Sequence, residues 1–162
     1  MKEISKKVII IGNFMVGKSS IVDRFVNNKF SEIYLTTLGV RVDKKVVDLE
    51  EATVNMIIWD IAGEVSQMQG PASYYLGSHG VIYVFDLTRE STYSHVPEDL
   101  EVVHSRLPGV PVVVMGNKLD LISEEEFADI KSKLPFQPDF FGSAKTGLSI
   151  EPLFEAMARK MT

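Results

Sequence analysis

The stretch GNFMVGKSS, residues 12–20, places two glycines, a lysine and two serines in the frame G-x-x-x-x-G-K-S. A loop of this spacing between a strand and a helix turns successive backbone N–H groups onto one anion, and the lysine adds a charge beside it. The candidate phosphate-binding residues are therefore Phe14, Met15, Val16, Gly17, Lys18, Ser19 and Ser20. Lys18 would reach the outer phosphates, and the Ser19 hydroxyl suits Mg²⁺. Phe14 and Met15 are unexpected in such a loop. Because backbone groups do the binding, these side chains are acceptable wherever φ is negative and they point outward.

Two further stretches carry complementary chemistry. In MIIWDIAGE an apolar strand ends in Asp60 and the chain then reaches Gly63. That pairing suits a carboxylate near Mg²⁺ and a backbone N–H at a terminal phosphate, although alone it also describes an ordinary turn after a strand. In VVVMGNKLDL, Asp120 can accept two hydrogen bonds from the N1–H and exocyclic amine of guanine. Adenine offers neither on that edge and would leave the carboxylate unpaired, so the residue selects the base. The aliphatic stem of Lys118 can cover a base face, and Asn117 can tie neighbouring loops together.

The elements that must position these residues are legible from periodicity. Runs rich in β-branched residues at 7–12, 40–49, 52–60, 80–86, 111–117 and 140–144 predict six strands. Helical patterns occupy 18–27, 71–78, 90–106, 124–133 and 150–161, with Pro71 at the first position of the second and Ser123 capping the fourth. Strands alternating with about five helices predict an α/β fold, a six-stranded mostly parallel sheet covered on both faces, with ligands beyond the carboxyl ends of the strands.

The 162 residues are 45% hydrophobic and 24% charged, which predicts a single domain over 1–162. Seventeen basic against 22 acidic residues, net −5, give no electrostatic footprint for nucleic acid. The absence of cysteine excludes disulfides, thiolate metal sites and a cysteine-linked lipid, so this chain carries no direct lipid anchor. No apolar run approaches membrane-spanning length. The expectation is a cytoplasmic monomer that reaches membranes only through partners or a tail absent from this chain.

With the three motifs in this order, the chain resembles the Ras superfamily of small GTPases, most closely its Rab-like branch. VGKSS, RF, FSEIYLTTLGV, WDIAG, SYYLGSHGVIYVFDLT, GNKLDL and GSAK fall at Rab-like spacing over nearly the whole sequence. The resemblance implies a P-loop NTPase fold of the small G-protein type, binding of GTP and GDP with Mg²⁺, and hydrolysis of GTP in intracellular trafficking. It implies that Thr37 meets Mg²⁺ through its hydroxyl and the γ-phosphate through its N–H, and that Asp60 holds Mg²⁺ through water. Phe30 would lie against guanine, with Ser143, Ala144 and Lys145 at the base edge. Effectors, an exchange factor and an activating protein would read two switches, 28–40 and 61–78.

The departures from the family pattern cluster where γ-phosphate chemistry would occur. In the catalytic set of Lys18, Thr37, Gly63 and Glu64, the last stands where most relatives carry glutamine. A like charge at ~5 Å and an effective dielectric of about 20 costs roughly 3 kcal/mol before any cation offsets it. An ionised Glu64 that swings away slows hydrolysis, whereas a well-placed one polarises water as a general base. Phe14 either occupies space that an incoming arginine needs or packs on the second switch. EVSQMQGPAS lacks the arginine and aromatic residues that Rab relatives commonly use there. Phe14, Met15 and Glu64 together motivate an alternative, a module that holds GTP as a structural ligand without turnover.

Overall fold

The structure is a computed structural model that describes residues 2–32, 39–62 and 71–162. Thr37, Gly63 and Glu64, with residues 33–38 and 63–70 of the two expected switches, lie outside the described residues.

Six strands form one sheet: β1 (Lys2–Gly12), β2 (Val40–Asp48), β3 (Ala52–Ile61), β4 (Gly80–Asp86), β5 (Val112–Asn117) and β6 (Phe140–Phe141). Their order is β2-β3-β1-β4-β5-β6. All neighbours run parallel except β2, which pairs antiparallel with β3. The helices are α1 (Lys18–Asn27), α2 (Val96–Arg106), α3 (Glu124–Lys133) and α4 (Ile150–Lys160). The mostly parallel α/β sheet follows the expectation.

The continuous apolar run of β1 reflects burial on both sides of the sheet. Val8 and Ile10 join Ile21, Phe25 and Phe154 from α1 and α4 in one cluster, while Ile9 and Ile11 join Val96 and Val103 from α2 in the other. Phe25 and Phe154 stack with ring centroids 3.9 Å apart, locking α1 to α4 beneath the loop that precedes α1. Among the described residues no helix is long and apolar enough to cross a membrane.

Two helical expectations need correction. The described residues contain four α-helices, not five, because the pattern at 71–78 yields only a single 3₁₀ turn, Ala72–Tyr74. Pro71 precedes that turn in an extended conformation instead of opening a helix. Gly77, at a φ of +74°, turns the chain out of the helical path, and the Lys7 ammonium donates to the carbonyls of Ser73 and Leu76 at 3.1 and 3.0 Å while lying 3.8 Å from the centre of the Trp59 ring. Those carbonyls are thereby supplied with a donor from β1. The pattern at 90–106 divides into a turn, Glu90–Thr92, and α2. Pro97 forces that division, since a helix running through it would set its ring against the Tyr93 carbonyl. The Ser123 cap is present as a capping box, with Glu126 N–H donating to Ser123 Oγ and Ser123 N–H to the Glu126 carboxylate, both at 3.1 Å.

β1 is longer than expected because Lys2 to Lys7 pair with β3 from Ala52 onward, although this end of the sheet is more exposed. At its junction with β4, Lys7 N–H donates to His79 Nδ1 at 2.9 Å and His79 N–H returns to the Lys7 carbonyl at 2.8 Å. Burial lowers the His79 pKa, aided by the positive charges of Lys6 and Lys7. A depressed histidine pKa means that the unfolded chain binds more protons in this range, so this stabilisation is present above about pH 6.5 and declines as pH falls through the folded-state value. His79→Asn should therefore flatten that decline. Urea denaturation between about pH 7.5 and 5 checks it: the stability difference between wild type and variant should shrink towards the acidic end.

Candidate functional site

The loop between β1 and α1 is built by close approaches that require its two frame glycines. A Cβ on Gly12 would sit 2.2 Å from the Val84 carbonyl oxygen on the adjacent β4. One on Gly17, whose φ is +100°, would sit 2.3 Å from Asn117 Nδ2. The carbonyls between them are each held. Arg89 Nη1 donates to Phe14 O at 2.9 Å, Lys118 Nζ to Met15 O at 3.0 Å, Asn117 Nδ2 to Val16 O at 3.0 Å and Ile21 N–H to Gly17 O at 2.9 Å. In a trans peptide the N–H points opposite to the C=O. The amides of Met15, Val16, Gly17 and Lys18 therefore face away from these partners, which gives the loop the shape of an anion-binding nest.

Phe14 is 48% exposed and outside the positive-φ set, as its position in such a loop demands. Met15 departs from the expected negative φ: it lies at +62°, the left-handed region. That conformation costs about 1–2 kcal/mol for a residue with a Cβ, and the bond from Lys118 to its carbonyl holds it in place. Lys18 opens α1 with its side chain folded back, donating to the carbonyls of Gly12 and Asn13, both at 3.2 Å. Burial lowers its pKa, with Asp60 opposing the shift.

Asp60, at the end of β3, is fully buried, and burial raises its pKa against the opposing effects of the Ser19 hydrogen bond and of Lys18. Ser19 Oγ donates to Asp60 Oδ2, while Asp60 Oδ1 is buried without a hydrogen-bond partner among the described residues. A buried carboxylate oxygen lacking a donor, beside a serine hydroxyl, is a donor set of the hard-oxygen kind that Mg²⁺ takes. These residues fit the ion.

A cleft of about 440 Å³ is lined by Met15, Gly17 and Ser20 from the loop and the start of α1, by Phe30, Ser31 and Glu32, and by Asn117, Lys118, Asp120, Leu121, Ala144 and Lys145. Asn117 is the rivet: besides its bond to Val16 O, its Oδ1 accepts the Ala144 N–H at 3.1 Å. Asp120 presents its carboxylate at the cleft with Oδ1 accepting from Ser143 Oγ at 2.6 Å. Ser143 itself is buried behind Asp120 and also accepts the Thr146 N–H, so it orients that carboxylate and is not on the wall. Lys145 spans the opening to Glu32 at 2.8 Å, and the pair lowers the Glu32 pKa and raises that of Lys145.

Thus the described members of the sequence-predicted set converge on one cleft and the loop beside it. Thr37, Gly63 and Glu64 lie outside the described residues. Sequence reasoning missed three supports. Arg24 on α1 donates from Nε to Ala144 O at 2.8 Å and from Nη2 to Lys145 O, fixing the base-edge loop to the phosphate-loop helix. Asp86 and Arg89, after β4, brace the phosphate loop. Their partners are backbone carbonyls and a lysine distant in sequence, and no local pattern marks them.

Residues 7–162 match the family model described as the Ras family. The chain is 37% identical to the Ras-related protein Rab-4 of Dictyostelium discoideum, over 91% of this chain and 75% of that relative. It is 34% identical to the GTP-binding protein ypt1 of Schizosaccharomyces pombe, over 96% and 79%. A third relative, the Ras-related protein Rab-1 of Theileria annulata, is 33% identical over 96% and 73%.

Asn117 and Asp120 make different demands on stability. Asn117→Ala leaves the buried Val16 carbonyl and Ala144 amide without their partner and should cost roughly 2–3 kcal/mol. Asp120→Ala removes an exposed side chain and should cost under about 1 kcal/mol. Urea denaturation of the ligand-free variants measures both, and equal losses would contradict the rivet role of Asn117.

Proposed function

The chain belongs to the Ras family, on its Rab-like branch, and from that premise we propose that residues 1–162 act as one G domain that binds GTP and GDP with Mg²⁺ in this cleft and hydrolyses GTP slowly. The observation that carries the reading is the single cleft joining Gly17 and Ser20, at the start of α1, to the Asp120 carboxylate. In this reading the phosphates lie against Gly17 and Ser20 and the base against Asp120. Asp120 selects guanine by accepting its two edge donors, and Phe30 and the Lys118 stem flank the ring.

At the phosphate end, the amides of the 14–20 segment and the Lys18 ammonium meet the charge that develops during in-line attack of water. Ser19, Thr37 and, through water, Asp60 would hold Mg²⁺, which would offset negative charge on the phosphates. Glu64, which lies with Gly63 outside the described residues, would by the family motif bring a negative charge towards a negative phosphate, which favours slow turnover. Phe14 adds exposed bulk to the loop. The segments 28–40 and 61–78 report the nucleotide state to effectors, an exchange factor and an activating protein, and intracellular trafficking is the setting that fits the Rab-like relatives.

Two measurements test the reading. Asp120→Ala should raise the Kd for GDP at least about 100-fold, because a charged hydrogen-bonding pair is worth roughly 1.5–3 kcal/mol per bond. Unchanged GDP affinity would sink the guanine assignment. In single-turnover hydrolysis of preloaded GTP, Glu64→Gln should raise the rate by about tenfold or more as the like charge is removed, with Phe14→Gly raising it further when an activating arginine is supplied. A rate that falls in Glu64→Gln would instead make Glu64 a general base.

A further inference from the structure

The segment DLTREST at 86–92, from the last residue of β4 onward, reaches across to the phosphate loop at Asn13 and Phe14, and through Lys118 at Met15. Asn13 Nδ2 donates to Ser91 O at 3.4 Å, Arg89 Nη1 to Phe14 O at 2.9 Å, and Lys118, which holds Met15 O at 3.0 Å, is itself 2.8 Å from Asp86 Oδ2. We propose that Asp86 and Arg89, acting with Lys118, form an electrostatic clasp that positions the phosphate-facing amides of Met15 and Val16 and so sets how tightly this chain holds the phosphates of its nucleotide. The inference rests on the nucleotide binding proposed above.

Asp86 is fully buried, and its two oxygens have separate tasks. Oδ1 accepts the Thr88 N–H at 2.8 Å and the Thr88 hydroxyl at 2.6 Å, which fixes the carboxylate within its own turn. Oδ2 faces Lys118 at 2.8 Å and Arg89 at 3.8 Å. The turn is pinned in addition by Thr92, buried, whose hydroxyl accepts the Asp86 N–H and donates to the carbonyls of the turn. One anion therefore restrains the two cations that grip the Phe14 and Met15 carbonyls. Each carbonyl fixes a peptide plane, and the plane fixes the amide of the next residue, Met15 in one case and Val16 in the other.

The clasp answers why this loop tolerates side chains where glycines would turn freely. Met15 sits at a φ of +62° and Phe14 precedes it, so the turn is strained and bulky. Its shape is imposed from outside, by Arg89 and Lys118, instead of by the freedom of glycine. Arg89 is half-exposed and contributes no core burial, so its removal separates positioning of the loop from integrity of the fold.

The test compares wild type, Arg89→Ala, Arg89→Lys, Asp86→Asn and the Asp86→Asn/Arg89→Ala double variant. Each is titrated with GDP and, by competition against a fluorescent GDP analogue, with guanosine, which carries no phosphate; thermal unfolding is recorded alongside. Arg89→Ala should weaken GDP binding about tenfold, the equivalent of one misdirected hydrogen bond, with guanosine affinity and the unfolding temperature nearly unchanged. Arg89→Lys should recover part of the loss. Asp86→Asn should weaken GDP more, since it releases both cations, and the double variant should add little to it because the two residues act through one clasp. GDP affinity within twofold of wild type in Arg89→Ala, or equal losses for GDP and guanosine, would overturn the proposal. Should Asp86→Asn fail to fold, Arg89→Ala and Arg89→Lys decide it alone. A wild type that binds neither ligand would overturn the nucleotide reading and this inference with it, whereas normal wild-type binding with an indifferent Arg89→Ala would remove only the clasp.

Discussion

A backbone amide can be aimed at a ligand only if the carbonyl of the same peptide plane is aimed the opposite way, and a carbonyl turned into protein needs a donor. The phosphate loop of this chain meets that constraint four times in succession, at Phe14, Met15, Val16 and Gly17. The donors come from the turn after β4, the turn after β5 and the first turn of α1. None belongs to the loop itself. The strand order makes this possible: β4 and β5 follow β1 in the sheet, with Gly12 opposite Val84 and Asp86 opposite Asn117, so the three strand ends deliver their turns to one place.

Buried charges from β3, β4 and α1 gather around the same loop. Lys18, Asp60 and Asp86 are all buried, and each is met differently. Asp86 accepts two hydrogen bonds from Thr88 at Oδ1 and has the Lys118 ammonium 2.8 Å from Oδ2. For Asp60 and Lys18 desolvation is the leading influence, raising the carboxylate pKa and lowering that of the ammonium, and their mutual attraction opposes it without cancelling it. Both groups are thus short of charge stabilisation in the same small region. A polyanion beside Lys18 together with a divalent cation beside Asp60 supplies what each lacks. The ligand assignment and the electrostatics of the protein alone therefore point the same way.

What the sequence makes legible is whatever depends on residue identity at fixed local spacing. The glycine-lysine-serine frame, the strand-ending Asp60 and the Asn117–Asp120 run read directly, as does the alternation of strands and helices. The parts it conceals depend on distant backbone. Arg24 looks like an ordinary helix-surface cation until the carbonyls of Ala144 and Lys145 arrive beside it. Ser143 reads as a base contact, yet it stands behind Asp120 as that residue's donor. The helical pattern at 71–78 breaks where Gly77 enters the left-handed region, and Lys7, more than sixty residues earlier, donates to the carbonyls of Ser73 and Leu76. At Met15 the local rule favouring negative φ gives way to a long-range bond from Lys118.

That last conflict bears on how the loop can behave. Glycines at positions 14 and 15 would leave a loop able to adjust its peptide planes as the phosphate chain changes length, since glycine enters either sign of φ without a steric penalty. Phe14 and Met15 remove much of that freedom, and the surrounding cations fix what remains, so the amides are held in one arrangement by groups rooted in β4 and β5. Rigidity there favours retention of a bound polyphosphate through preorganised donors. It also places the exposed Phe14 side chain on the rim of the loop, 48% accessible, where an approaching protein would meet it first. The residues that look least suited to a phosphate loop thus leave its backbone chemistry intact and alter what can come near it.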